Sequence, residues 1–336
     1  MMNNANIKRV GFWINDLKYK KLGFEKFKTI CWNSGLELVK IDLARSLEEQ
    51  GPFDVIIQKL TDTILYEADQ GDPKAQQKVC RFQEYICDHP DVIVIDPLNK
   101  TTQLSRNRYE MYSTLHDCAS DITKLDTELL VPDFVELPTI DVTRNKAAIR
   151  EANIGYPFVC KPRSADGSEN SHTLCIIFNE EGLRDIRVPS VAQKLIKHNA
   201  VMYKVFVVGD IHHVVERPSL KNLKPGDYSS IFFHSRDVSK STSCSFLTKL
   251  DIEDQNKALI KPDKMTLTKL VNKVQRKIGM CLFGIDVVIE NDTGRYYVID
   301  INYFPGYDGF PDFLQVLAEY ILKRLHTKQM PQGRTD

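Results

Sequence analysis

Three residues near the C-terminus have side chains suited to holding a hard cation. Asp286 lies in the apolar run Phe283-Gly284-Ile285-Asp286-Val287-Val288-Ile289, and Asp300 and Asn302 lie in Val298-Ile299-Asp300-Ile301-Asn302. Residues two apart on a strand point to one face, so Asp300 and Asn302 project together. The joint between the runs, Asn291-Asp292-Thr293-Gly294, has hairpin composition, and pairing across it brings Asp286 close to Asp300. Two carboxylates and an amide oxygen on one surface suit Mg²⁺, which takes oxygen ligands and shares phosphate oxygens. No lysine lies within three residues of either aspartate, so on such apolar strands the two acids repel each other without a cation. The competing explanation is a solvated strand face.

Lysines supply the complementary charge. Lys161 ends the buried-looking run Tyr156-Pro157-Phe158-Val159-Cys160-Lys161, and Lys204 sits inside Ala200-Val201-Met202-Tyr203-Lys204-Val205-Phe206-Val207-Val208. A lysine in so apolar a run either meets an anion, for which phosphate is a natural choice, or snorkels to solvent from an edge strand. Between Lys161 and His172 runs a small, polar loop that could close over phosphates with backbone N–H groups or be a plain hairpin connection. His172 could donate to a phosphate or cap a strand. Residues 1–30 hold seven basic residues, Lys18, Lys20 and Lys21 among them, against two acidic ones. This local patch suits a small polyanion, or is a solvated helix face. Lys59 and Arg106 are further candidates with equally bland alternatives.

These residues need elements to position them. Residues 7–95 alternate strand and helix patterns: apolar runs at 7–13, 36–41, 55–57 and 92–95, with helical stretches at 17–32 and 74–86. Such alternation predicts a small parallel α/β domain. After a helical stretch around 100–118, strands come in consecutive groups at 158–161, 173–178, 192–196, 200–208 and 212–216. A helix over 265–278 stopped by Gly279, the hairpin described above and a last amphipathic helix over 311–325 complete the chain. The predicted architecture is an α/β domain followed by α+β lobes rich in antiparallel sheet. Its segments are 1–103, 104–190, 191–326 and a frayed tail at 327–336.

Composition removes several functional classes. The 336 residues carry 45 basic and 45 acidic side chains, so no global field favours nucleic acid or a membrane surface. The longest apolar run is five residues, Leu174 to Phe178, far short of the ~18 a membrane helix needs. The eight cysteines include no CxxC pair, which argues against a zinc ribbon or disulfide frame and for a reduced, cytosolic setting. There is no P-loop, dinucleotide fingerprint, protein-kinase signature or nucleophile elbow.

Longer motifs carry a resemblance. The segment Phe283-Gly284-Ile285-Asp286, with Val298-Ile299-Asp300-Ile301-Asn302-Tyr303-Phe304-Pro305-Gly306-Tyr307, resembles the ATP-grasp superfamily. Within it, Arg217-Pro218-Ser219-Leu220-Lys221-Asn222 and the run from His198 to Gly209 are similar to the inositol 1,3,4-trisphosphate 5/6-kinase family. Val10-Gly11-Phe12-Trp13, the stretch from Gln50 to Asp62 and Arg81-Phe82-Gln83-Glu84-Tyr85 resemble that family's N-terminal domain. The resemblance spans about residues 7 to 325.

What the resemblance implies is an ATP-grasp fold: a small parallel-sheet domain and two antiparallel-sheet lobes enclosing a nucleotide. The implied activity is transfer of the γ-phosphoryl group of ATP, with Mg²⁺ as two ions, to a hydroxyl of an inositol tris- or tetrakisphosphate. Asp286, Asp300 and Asn302 match metal ligands. Lys161 and Lys204 match lysines facing ATP phosphates and the transferred group, and with Asp300 form the implied catalytic set. Arg106, Gln193, Ser219, Ser235 and Ser239 match nucleotide contacts, the stretch 193–204 holding adenine. Lys18, Lys59, His172, Lys204, Asn302 and Gly306 match positions gripping the inositol phosphate. A monomer that enters no membrane and binds no nucleic acid is also implied. The chain departs from the family pattern in the loop, where Asp166 stands near a family histidine; an acid facing a polyanion is unfavourable. No residue stands out as a general base. An ATP-grasp carboxylate–amine ligase would share the nucleotide and metal residues. A non-catalytic inositol-phosphate or nucleotide-binding protein is the other alternative.

Overall fold

The computed structural model describes residues 7–120, 129–166 and 168–329. Gly167, in the polar loop, and 330–336, in the expected tail, lie outside the described residues. Among the described residues, thirteen strands form three sheets. The first is wholly parallel, in the order β2-β1-β3-β4, built from β1 (Lys8–Trp13), β2 (Leu36–Lys40), β3 (Val55–Gln58) and β4 (Ile93–Ile95). The second has five strands: β5 (Phe134–Leu137), β6 (Phe158–Pro162), β7 (Thr173–Ile177), β8 (Ser190–Lys194) and β11 (Ile231–His234), ordered β11-β7-β6-β8-β5. The third, ordered β10-β9-β12-β13, holds β9 (Val201–Val208), β10 (Ile211–Pro218), β12 (Leu282–Ile289) and β13 (Tyr296–Tyr303). Both of the latter sheets are antiparallel throughout.

Several expectations shift. The single helix expected over 17–32 is two, Asp16–Leu22 and Phe24–Asn33, because Gly23 at φ 71° takes the left-handed turn that ends the first. The boundary drawn at 190 falls at the start of β8, which pairs with β6 and β5. The second sheet therefore draws strands from both sides of that boundary, and β11 from further still. Hydrogen bonding, not chain order, defines the lobe. The last helix runs over Phe313–Gln329, three residues into the expected tail.

One continuous core joins the first and third sheets. Val10, Phe12, Phe24 and Phe27 share a buried apolar cluster with Val205, Phe283, Phe304 and Leu317. The second sheet keeps a separate core around Leu137, Phe158, Ile177 and Ala192. The joint between the parallel domain and the third sheet is also polar. Asp96, almost fully buried, accepts the amides of Cys281 and Leu282 at 2.8 Å each. Burial raises its carboxyl to about 6 against the pull of those two donors.

Candidate active site

A cleft of about 840 Å³ lies where the three sheets meet. Its metal-like face follows from strand register. Asp286 on β12 is paired with Asp300 on β13 on one side and with Lys204 on β9 on the other. A charge row Lys204–Asp286–Asp300 therefore crosses three strands on one face. Asn302, two residues beyond Asp300, lines the same cleft. Lys204 Nζ lies 2.9 Å from both carboxylate oxygens of Asp286. Burial raises the Asp286 carboxyl, Lys204 opposes this and Asp300 adds to it. The sequence offered no sign of this ion pair, because Lys204 and Asp286 are 82 residues apart.

A bulge sharpens the arrangement. The β12–β13 register shifts between Asp286 and Val287, which face Asp300 and Val298, so Ile299 has no partner. Its carbonyl accepts the Lys161 ammonium at 2.9 Å and the Tyr112 hydroxyl at 3.0 Å. The same hydroxyl accepts from Lys161 at 2.8 Å. The bulge thus brings β6 of the second sheet onto β13 of the third through one buried lysine. Burial lowers the Lys161 ammonium to about 8, against the pull of Asp300. An ammonium has three donors, so after these two bonds Lys161 keeps one for the cleft.

The opposite end is made by the parallel domain. Lys59 Nζ is held at 2.6 Å by the Tyr303 carbonyl and at 3.1 Å by Asp62. Lys18 bonds the next carbonyl, that of Phe304. Two lysines, one from the helix Asp16–Leu22 and one just after β3, thus grip consecutive carbonyls just past Asn302. Burial lowers the Lys18 ammonium well below its ordinary value, and Lys59 pushes the same way. Lys21 pairs with Asp308 at 2.8 Å over Gly306, where a Cβ would meet both side chains. A side chain here would displace the ends of these two flexible side chains.

Between the ends, residues 195–200 pass from β8 to β9, crossing between sheets. His198 is buried, and burial lowers its imidazole to about 4, leaving it neutral. Its Nδ1 lies 2.5 Å from the Ile196 carbonyl, so that nitrogen carries the proton, and Nε2 accepts from Ser219 Oγ at 2.7 Å. His198 therefore orients Ser219.

Of the sequence candidates, Lys18, Lys59, Lys161, His172, Gln193, Lys204, Ser219, Ser235, Ser239, Asp286, Asp300, Asn302 and Gly306 all line this cleft. Arg106 does not. It closes the helix Leu98–Arg106 and pairs outward with Asp69. The extended residue Asn107 breaks the helical phase, and Arg108, opening the next helix, turns inward instead. Arg108 is 5% exposed; it donates to the carbonyls of Pro162, Ser164 and Ser171, and its buried Nε makes no hydrogen bond. It staples both ends of the polar loop. Its buried charge is the signal that sequence reading lacked, since nothing local marks Arg108 over Arg106. Within that loop Asp166 accepts from Ser164 Oγ and the Ser168 amide. Burial pushes its carboxyl up, but the serine bonds outweigh this and hold it below the ordinary range.

The donor set suits a hard cation and a phosphate. Among the described residues no group of three or more His, Cys, Asp or Glu is poised for a metal. The set is instead two carboxylates and the Asn302 amide, all oxygen donors, which fits Mg²⁺ completed by phosphate oxygens. The orphaned Arg108 Nε and the spare Lys161 donor fit an incoming phosphate.

Comparisons with known proteins give the family and the fold. Residues 9–101 match the inositol 1,3,4-trisphosphate 5/6-kinase pre-ATP-grasp domain, and 123–323 the ATP-grasp domain of the same family. The inositol-tetrakisphosphate 1-kinase of Xenopus laevis is 46% identical over 94% of this chain and 78% of its own length. That of Danio rerio is 42% identical with the same coverages. Inositol-tetrakisphosphate 1-kinase 3 of Arabidopsis thaliana is 30% identical over 97% of this chain and 88% of its own. Among solved structures, D-cycloserine synthetase DcsG superposes with a TM-score of 0.60 at 10% identity, covering 94% of this chain and 99% of its own. The D-alanine–D-alanine ligase of Bacillus anthracis gives 0.56 at 14% identity, covering 96% and 97%. At such identities these two show the ATP-grasp fold alone. By its domain matches and its relatives, the chain belongs to the inositol 1,3,4-trisphosphate 5/6-kinase family.

Proposed function

We propose that this protein is an inositol polyphosphate kinase, transferring the γ-phosphoryl group of ATP to a ring hydroxyl of an inositol tris- or tetrakisphosphate. The observation that carries the reading is the charge row Lys204–Asp286–Asp300 facing Lys161, in the same cleft as Lys18 and Lys59 from a separate domain. Transfer of this kind is mostly positioning and charge neutralisation. Mg²⁺, held by Asp286, Asp300 and Asn302, would neutralise charge on the β- and γ-phosphates. Lys161, pinned by Ile299 and Tyr112, offsets charge on the transferring group with its remaining donor. Lys204 shares its charge between Asp286 and that group. Arg108 takes the nucleotide role that the resemblance assigned to Arg106. Ser219, oriented by His198, and the 195–200 crossing hold the nucleoside. Lys18, Lys59 and the Gly306 backbone hold the acceptor so that one hydroxyl lies in line. The chain acts as a monomer in the cytoplasm. Support for that compartment is that the cysteines with described side chains are free thiols.

The test is a screen of purified inositol phosphates with Mg²⁺-ATP, resolving product isomers. ADP together with one added phosphate on a tris- or tetrakisphosphate supports the kinase. Turnover that requires an amino acid or peptide carboxylate instead would make the protein a ligase.

A further inference from the structure

We propose that Arg236 forms a phosphate-binding subsite in the wall of the cleft, with His234 beside it, and that Glu169 is the internal anion a ligand phosphate displaces to reach it. The inference rests on the phosphoryl-transfer reading above and deepens it. Strand β11 ends at His234, which pairs with Thr173 of β7. This register brings His234 beside His172 at the end of the polar loop, with ring centroids 5.4 Å apart. The next residue, Ser235, has its Oγ 3.2 Å from His172 Nδ1.

Glu169, carried by the polar loop, closes on this group. Its Oε2 lies 3.1 Å from His234 Nε2 and its Oε1 3.2 Å from Arg236 Nη1. Glu169, His172, Ser235 and Arg236 all line the cleft. The charges facing His172 from each packed element are Arg236 and His234, Arg108 and the single carboxylate Glu169. Arg236 is thus the fixed cation of this part of the wall, and the loop supplies Glu169 as its carboxylate partner.

That counter-ion is weakly held. The Glu169 side chain is 79% exposed and that of Arg236 58%, so the pair contributes little net stability. A phosphate brings more charge and three acceptor oxygens to the same guanidinium, with the stronger charge-assisted bonds that geometry allows. The loop's other acid, Asp166, is occupied by Ser164 and Ser168 and does not compete. Glu169 therefore lowers the affinity of the subsite by an exchange that Arg236 makes possible.

The phosphate belongs either to the nucleotide or to the inositol acceptor, and a double-mutant cycle separates the two. Arg236→Gln, Glu169→Gln and the double variant are compared by KM for the inositol phosphate and by Kd for Mg²⁺-ATP measured without acceptor. Arg236→Gln raises one of these constants by about 3- to 10-fold, and Glu169→Gln lowers the same one by about 2- to 5-fold. In the Arg236→Gln background the Glu169 effect shrinks to the residual share of His234. A change confined to the inositol phosphate assigns the subsite to the acceptor, and one confined to ATP assigns it to the nucleotide. Both constants unchanged in Arg236→Gln, or a full Glu169 effect persisting in that background, overturns the inference. If the wild-type protein phosphorylates no inositol phosphate, the functional reading fails while the ATP arm still tests the subsite.

Discussion

The two ends of the cleft solve the same electrostatic problem differently. At the metal end, lysine charge meets carboxylate charge inside one sheet: Lys204, Asp286 and Asp300 are neighbours by β-register. At the acceptor end, Lys18 and Lys59 come from the parallel domain and rest on the carbonyls of Phe304 and Tyr303. The first arrangement is rigid because register cannot slip without exchanging every buried and exposed side chain. The second depends on two domains staying docked. Each ammonium is oriented by a carbonyl, and the two lysines share the nearby carboxylate of Asp62, which pairs with Lys59 at 3.1 Å and offsets part of their mutual repulsion. The lesson is that one end has the carboxylates a cation would need, and the other the clustered ammonium groups an anion would need.

The largest expected effect breaks the metal end. Asp300→Ala leaves Lys161 and Lys204 facing only Asp286, and should lower turnover about 10²- to 10³-fold with the fold intact. ADP release with saturating substrates, alongside circular dichroism, measures it; near-normal turnover would remove the metal argument. Lys59→Met tests the acceptor end. It deletes a buried, charged hydrogen-bond donor, worth about 1.5–3 kcal/mol, and should raise KM for the inositol phosphate about tenfold or more while sparing KM for ATP. An equal rise in both would mean that the ends are not separable.

The joint between the ends titrates. The Asp96 carboxyl is raised to about 6 in the folded protein, so the native state binds its proton more tightly than the unfolded state does. Its contribution to stability is present below about pH 4 and is lost as pH rises through 6, a fall of about 3 kcal/mol. Urea unfolding between pH 4 and 7 should show this slope in the wild-type protein and a flatter one in Asp96→Asn. Parallel slopes would locate the titration elsewhere. The smallest effect concerns Lys21 and Asp308, both more than half exposed. Lys21→Ala should change stability by less than about 1 kcal/mol and raise acceptor KM a few-fold, in a manner that fades as salt is added. Acceptor affinity that is flat from low to moderate salt would contradict charge-held binding.

The candidate site was legible wherever its geometry is local. Asp300 and Asn302 share a face through a two-residue period, and a short hairpin brings Asp286 opposite Asp300. Lys161 and Lys204 stood out as charges in apolar runs. Where geometry depends on helix phase or distant pairing, reading failed. Arg106 and Arg108 differ only in how the break at Asn107 turns two helices, and one faces Asp69 while the other staples the polar loop. The unexpected roles of Tyr112 and Ile299 come from a bulge, which no composition announces.

The chain itself thus determined its alternating first domain, its antiparallel hairpin and the oxygen-rich face near the C-terminus. These follow from periodicity and turn chemistry, which act over a few residues. Tertiary structure decided which lysine meets which acid, which strands make up the second sheet and which arginine enters the cleft. Those depend on contacts between residues far apart in the chain, whose closure is set by the packing of the whole core.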